Sequence, residues 1–276
     1  MNLSMLSPTA VDRTSKPAQS AVAIEIEGLS KTYQAADGRS VRAVDTVTAS
    51  IHEGEFVSIL GPSGCGKSTL MMMLTGLLAA SEGVVRYRGR RIEGPQADFG
   101  VVFQDSILFP WRTVIQNVRL PAEVRGIARS DQALRAKQLI ELVGLGGFET
   151  KYPKELSGGM QQRVAIARAL MLDPKLILMD EPFGALDAMT REQMNLELQR
   201  ISLATRATVI FVTHSISEAV FLSDRVFVMS GRPSTVRAIV PIDMPRPRPI
   251  EIMNSDKFGV YVADVRAELE RRGAKS

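Results

Sequence analysis

The stretch Gly61-Pro62-Ser63-Gly64-Cys65-Gly66-Lys67-Ser68-Thr69 constrains this chain more than any other. It fits the pattern Gly-x-x-x-x-Gly-Lys-Ser/Thr, a turn that surrounds phosphate oxygens. The apolar run Val57-Ser58-Ile59-Leu60 precedes it and reads as a buried strand, and a helix from about Lys67 to Leu78 follows. Glycines let the backbone curl so that its N–H groups converge, and the helix N-terminus adds a favourable dipole. Lys67 is then placed to reach the β- and γ-phosphates of a nucleotide, the Ser68 hydroxyl to ligate Mg²⁺, and Thr69 to touch the α-phosphate. Cys65 occupies a permissive position and reads as a small space-filler. It is the one cysteine of the chain, so an intramolecular disulfide is excluded.

A strand running into such a turn predicts an α/β fold. Further buried strands are expected at Gly100 to Phe103, Leu176 to Met179, Val209 to Val212 and Arg225 to Met229, alternating with helices as in a mostly parallel sheet. The first part differs: Ile24 to Ile26, Val41 to Ile51 and Val84 to Tyr87 alternate like the strands of an antiparallel subdomain. Val114 to Leu172 reads as purely helical, with Ser130 capping a helix that lines up Leu134, Leu139, Ile140 and Val143. Pro241 to Pro249 is rich in Pro and Arg, cannot be a helix interior, and reads as a strand end and linker. A last helix places Phe258, Val262, Val265 and Leu269 on one face, either packed on the parent domain or open to a partner. Residues 1–20, rich in Ser, Pro and Ala, read as a disordered leader without the pattern of a secretory signal. Hydrophobic residues make up 45% of the 276, yet no apolar run approaches the ~20 residues that cross a bilayer. The net charge of +4 is spread along the chain, as on a solvated basic surface rather than a nucleic-acid face.

Leu176-Ile177-Leu178-Met179-Asp180-Glu181-Pro182 is an apolar strand ending in two acids. Beside the phosphate loop, Asp180 is placed to hold Mg²⁺ through its water shell, and Glu181 to orient and polarise an attacking water. These motifs describe a phosphate-loop nucleotidase without saying which. Leu156-Ser157-Gly158-Gly159-Met160-Gln161-Gln162-Arg163 narrows the choice. Ser157 caps a helix, and Gly158 and Gly159 permit close approach, which makes a second anion site. Here the sequence resembles the ABC ATPase family, whose hallmark is Leu-Ser-Gly-Gly-x-x-x-Arg at a helix start. Met160 departs from the glutamine most common at the fifth place.

The resemblance covers about Ile24 to Pro241. It implies a P-loop ABC ATPase core with an antiparallel β-subdomain and an inserted α-helical subdomain. The ATPase domain would run over 21–241, the helical subdomain over about 112–172, and the linker with its C-terminal helix over 242–276. It further implies a head-to-tail homodimer, each ATP held between one subunit's Gly61 to Thr69 loop and the other's Ser157-Gly158-Gly159 turn. Tyr33 resembles the aromatic residue that stacks on adenine; a half-buried strand tyrosine is the alternative. Gln104 resembles the glutamine that contacts Mg²⁺ and the attacking water. Ala185-Leu186-Asp187 resembles the loop that crosses the dimer interface. His214, ahead of a Ser215-to-Glu218 capping box, resembles the histidine that contacts γ-phosphate. His52 lacks such a context and reads as a surface residue.

Phe109-Pro110-Trp111-Arg112-Thr113-Val114, Phe183 to Asp187 and Met229-Ser230-Gly231-Arg232-Pro233 look like the nitrate, sulfonate and taurine importer subfamily. That likeness implies transmembrane permease subunits as partners and, through them, a periplasmic or extracellular solute-binding protein. It implies a peripheral place on the cytoplasmic face of a bacterial inner membrane, with no nucleic-acid partner. Trp111 is either a core aromatic or part of the permease-docking surface. The rival reading is a soluble, non-transport ABC ATPase acting on nucleic acid or ribosomes. A phosphate-loop kinase would leave Ser157-Gly158-Gly159 and His214 unexplained.

Overall fold

The computed structural model describes residues 21–34, 38–184 and 186–271. The expected leader, residues 1–20, lies outside the described residues, as does Ala185. Two sheets form the frame. The first is antiparallel, in the order β2 (Ser40–His52), β1 (Val22–Gln34), β4 (Glu82–Tyr87), β5 (Arg90–Arg91). The second runs β10 (Val236–Pro241), β9 (Arg225–Met229), β3 (Phe56–Leu60), β8 (Thr208–Thr213), β7 (Leu176–Asp180), β6 (Phe99–Val102). In it β9, β3, β8, β7 and β6 are parallel, and β10 pairs antiparallel at the edge.

The central strands are apolar on both faces because both are covered, as parallel sheets require. Along β3, Phe56 and Leu60 join one core cluster, while Val57 and Ile59 join the other. β8 divides its side chains likewise, Val209 and Phe211 against Ile210 and Val212. The second cluster fills the space between the two sheets and encloses α1 (Lys67–Leu74), whose Leu70, Met71, Met73 and Leu74 are all buried. The first cluster lies under α2 (Val114–Val124), α3 (Arg129–Leu142), α4 (Gly158–Ala169), α5 (Ala188–Thr205), α6 (Ile216–Leu222) and α7 (Asp256–Glu270). The parallel strands all end at one edge, and there the loops carrying Gly61 to Thr69, Gln104, Glu181 and His214 emerge.

Several expectations need correction. The helix after the phosphate loop ends at Leu74, not Leu78, because Gly76 turns left-handed (φ 75°) with its α-carbon pressed on Gly94; a Cβ there would lie 2.3 Å from the Gly94 oxygen. The 114–172 region is not purely helical: turns and a 3₁₀ segment at Pro153–Glu155 separate its three helices. Ser130 does not cap α3. It lies inside the helix, its hydroxyl bonded to Asp131, and the cap position is Ala128. Leu134 points outward, 64% exposed, while Leu139, Ile140 and Val143 are buried. Residues 242–249 are not a free linker: Arg248 is wholly buried, with its guanidinium bonded to the carbonyls of Met244, Val220 and Phe221. The last helix packs on the domain through Phe258 and Val265.

Candidate active site and second anion turn

The phosphate loop is shaped by what stands behind it. Gly66 has φ 121°, and a Cβ there would sit 2.9 Å from the Ala43 carbonyl oxygen, so only glycine fits. Lys67 is buried, and its ammonium donates to the carbonyls of Gly61 (3.0 Å) and Pro62 (3.1 Å). The Cys65 thiol is buried and pushed up by that burial, which keeps it protonated and inert, as a space-filler should be. Pro62, Ser63 and Gly64 complete the rim. Tyr33 stands half-exposed beside it, its hydroxyl 3.5 Å from that of Thr69.

The acidic pair closes the other side. β7 delivers Asp180 and Glu181 beside the loop, and the Glu181 amide donates to Val212 of β8 at 2.9 Å. Glu181 takes a left-handed conformation (φ 43°), held on its other side by the Gly184 amide at 3.1 Å. Such a conformation costs about 1–3 kcal/mol in a non-glycine residue and persists where surroundings over-determine it. Its carboxylate lies between two nitrogens: Lys67 Nζ at 3.4 Å and His214 Nδ1 at 2.9 Å. Residues scattered over 150 positions of sequence are thus brought to one carboxylate.

Asp180 is buried, and burial pushes its carboxyl up; Glu181 adds to this, while a hydrogen bond from Ser68 and the charge of Lys67 pull it down. Its Oδ1 is buried without a hydrogen-bond partner. An orphaned carboxylate oxygen next to the Ser68 hydroxyl suits a small divalent cation. Among the described residues no group of three or more His, Cys, Asp or Glu could cage a metal alone. The donor set therefore fits Mg²⁺, which keeps waters and takes phosphate oxygens, rather than an all-protein cage. Gln104 lies exposed past the end of β6, at the same sheet edge, with no bond to the other site residues.

Ser157 caps α4, its side chain accepting from the Met160 amide at 3.3 Å. Gly158 is open to solvent. Gly159 is pressed on the loop after Glu181: a Cβ would meet Thr190 at 3.1 Å and Leu186 at 3.3 Å. Asp187 caps α5, and both its oxygens are taken by Thr190, the amide at 3.1 Å and the hydroxyl at 2.6 Å. No hydrogen bond or ion pair among the described residues joins the Ser157 turn to Lys67, Ser68, Asp180, Glu181 or His214.

Arg232 was not anticipated. Its guanidinium donates to the Gly64 carbonyl at 2.8 Å, and neighbouring Ser234 bonds Ala43 behind Gly66. The Met229 to Pro233 stretch stands out in sequence only by family likeness; no local pattern connects it with a loop 168 residues away. The Ser215-to-Glu218 capping box is half-formed: the Glu218 amide bonds Ser215 Oγ, but the carboxylate turns to Thr213 instead. His52 is half-exposed, 3.5 Å from Glu55.

A family model described as ABC transporter matches residues 44–184. The chain belongs to the ABC transporter family. It is 48% identical to an uncharacterised ABC transporter ATP-binding protein of Methanocaldococcus jannaschii, over 86% of this chain and 88% of that one. It is 49% identical to a taurine import ATP-binding protein of Rhizobium johnstonii, over 81% of this chain and 85% of that one. An aliphatic sulfonates import ATP-binding protein of Bacillus cereus shares 41%, over 91% and 97%. A dimeric ATP-binding cassette in a post-hydrolysis state, bound to ADP and Pi, superposes with a TM-score of 0.72 at 32% identity, covering 80% of this chain and all of that one. The ABC ATPase described here binds and hydrolyses ATP, and its fold is that of the family's cassettes.

Proposed function

We propose that this ATP-hydrolysing subunit energises an importer for a small organic or inorganic solute of the nitrate, sulfonate and taurine kind. In this reading it works as a homodimer docked on transmembrane permease subunits, which receive solute from an external binding protein. The exposed, capped Ser157-Gly158 turn carries the dimer, with support from the dimeric cassette on which this chain superposes. Among the described residues no hydrogen bond or ion pair ties that turn to the Lys67 site. A second copy related by a twofold axis gives each turn a phosphate to bind. The names of the relatives support import, and the sulfonate and taurine relatives support the solute class.

Each site residue takes a role in this reading. Lys67 exchanges the Gly61 and Pro62 carbonyls for the β- and γ-phosphates, and the loop amides from Gly61 to Thr69 surround them. Tyr33 stacks on adenine. Glu181 orients and polarises the attacking water, and His214 steadies that carboxylate and meets the γ-phosphate. Mg²⁺, when bound, neutralises phosphate charge and polarises the bond that breaks. Ser68, Asp180 and Gln104 would hold it. Ser157, Gly158 and Gly159 face the other subunit's nucleotide, with Asp187 setting the loop beside them. The ATPase domain is assigned to 21–241, with the helical insertion at 112–172, and the chain sits peripherally on the cytoplasmic face of the membrane. No helix among the described residues is long and apolar enough to cross a bilayer.

The test is Glu181→Gln, which keeps the shape and removes the base. With ATP and Mg²⁺ this variant elutes as a dimer by size-exclusion chromatography and loses at least about 100-fold in turnover, the scale of a lost general base. A variant that stays monomeric both alone and with its permease would overturn the ATP-sandwich dimer. For the solute, the permease co-purified with the tagged chain is reconstituted with its binding protein. ATPase stimulation by taurine, alkyl sulfonates or nitrate supports the solute class, and indifference to all three removes it.

A further inference from the structure

A buried acid stands beside the site and takes no part in the roles above. Glu218, on the first turn of α6, is 6% exposed. Its Oε2 accepts from the Thr213 hydroxyl at 2.6 Å, and its Oε1 lies 3.5 Å from Arg191 Nε of α5. Thr213 immediately precedes His214, and its hydroxyl oxygen also accepts the Ser215 amide at 3.0 Å, so the two residues flanking His214 are held by one hydroxyl. Arg191 reaches the other way as well, donating to the Leu186 carbonyl at 2.8 Å. Leu186 and Thr190 are the residues on which Gly159 is pressed.

We propose that Glu218 and Arg191 are a positioning pair, which fixes the His214 turn against the Leu186–Asp187 loop and so sets how His214 meets Glu181. The inference rests on the reading that His214 and Glu181 serve hydrolysis. The pair touches neither nucleotide nor water. It works through a chain of contacts, from the 2.6 Å Thr213–Glu218 hydrogen bond to the 3.5 Å Glu218–Arg191 ion pair. A shift of the Ser157–Gly159 turn presses on Leu186 and Thr190. Arg191 holds the Leu186 carbonyl, Glu218 meets Arg191, and Thr213 hangs on Glu218. His214 then moves relative to the carboxylate it bonds at 2.9 Å. The charges facing Glu218 are Arg191 from α5, His214 from its own turn and Glu181 from the end of β7. Burial raises its proton affinity, and the Thr213 hydrogen bond and the charge of Arg191 oppose that rise. The arrangement makes occupancy of the second anion turn legible at the catalytic carboxylate of the same chain.

The experiment is a double-mutant cycle on full-length protein, with steady-state ATPase as readout. His214→Ala, Glu218→Gln, Arg191→Met and the pairs with His214→Ala are compared, with circular dichroism and ATP binding confirming that each is folded. Glu218→Gln and Arg191→Met each lower kcat by about tenfold and leave KM for ATP within about twofold, the pattern of an interaction that matters only in the transition state. In the His214→Ala background, Glu218→Gln lowers kcat by less than about twofold, because its effect runs through that histidine. Full additivity with His214→Ala, or an unchanged kcat in Glu218→Gln, overturns the positioning role. If His214→Ala alone keeps wild-type kcat, the role given to His214 itself is wrong, and the positioning pair falls with it. A loss confined to KM or to folding shows a structural pair only and also overturns it.

Discussion

Asp180 carries a cost that shows at the scale of one residue. Its carboxyl is buried, one oxygen has no partner, and burial raises its proton affinity. An acid that binds protons more tightly when folded loses stabilisation as pH rises from its ordinary range through its raised one, since the folded state then holds more protons than the unfolded. At neutral pH Asp180 therefore destabilises the nucleotide-free chain. Asp180→Asn is expected to raise Tm at pH 7. The gain shrinks as the pH falls toward the usual aspartate range, where Asp180 takes up its proton, and Mg²⁺-dependent ATP hydrolysis is lost. Differential scanning fluorimetry across pH, paired with an ATPase assay, checks both halves. An equal or lower Tm at pH 7 would mean that Ser68 and Lys67 already compensate the burial.

Elements show where local pattern was sufficient and where it was not. The strands β3, β7, β8 and β9 were legible because short runs such as Val57 to Leu60, broken only by Ser58, and Leu176 to Met179 are nearly all apolar, as strands covered on both faces are. The Ser157 cap was legible because a serine ahead of two glycines and a long helical pattern has a local mechanism. The end of α1 was not. Met71 to Leu78 keeps an apolar, helix-compatible pattern, and the stop is imposed by Gly94 pressing on Gly76 from another segment. Glycine at a helix end was a signal available in the sequence. Gly76→Ala is expected to cost more than about 2 kcal/mol, since left-handed strain and a 2.3 Å clash with backbone act together. Urea unfolding of this variant beside Gly158→Ala, where the space is open, separates a clash from a mere loss of flexibility. Equal costs at the two positions would refute the clash. The Ser130 cap and the Glu218 box failed for a related reason. In each the side chain takes another nearby partner, Asp131 for Ser130 and Thr213 for Glu218.

At the scale of the whole molecule, two aromatic residues that look alike in sequence have opposite surroundings. Phe258 of α7 is 3% exposed and belongs to the main core, whereas Trp111 is 70% exposed and stacks edge-on against Phe109 at 5.2 Å. The Trp111 loop is nonetheless tied down by hydrogen bonds. The buried Asn117 side chain accepts from the Phe109 amide and donates to the carbonyls of Phe109, Arg112 and Thr113. Arg168 of α4 holds Ser106 and Ile107, and Gln162 holds Phe103, so the loop is fastened to the helix that Ser157 caps. An exposed tryptophan held that firmly, with exposed Ile107 and half-exposed Phe109 beside it, has the makings of a docking hot spot. Phe258→Ala should then cost about 3–5 kcal/mol of folding stability, as core aromatic truncations do, and leave the permease-facing surface intact. Trp111→Ala should leave Tm and basal ATPase within error of the parent, because nothing folds around the ring. In pull-downs from gently solubilised membranes it should retain at least about tenfold less permease, the loss of a hot spot worth more than 1.4 kcal/mol. If Trp111→Ala lowers Tm as Phe258→Ala does, the ring is part of the fold and the docking surface lies elsewhere. If it binds permease normally at unchanged Tm, Trp111 is not a docking hot spot.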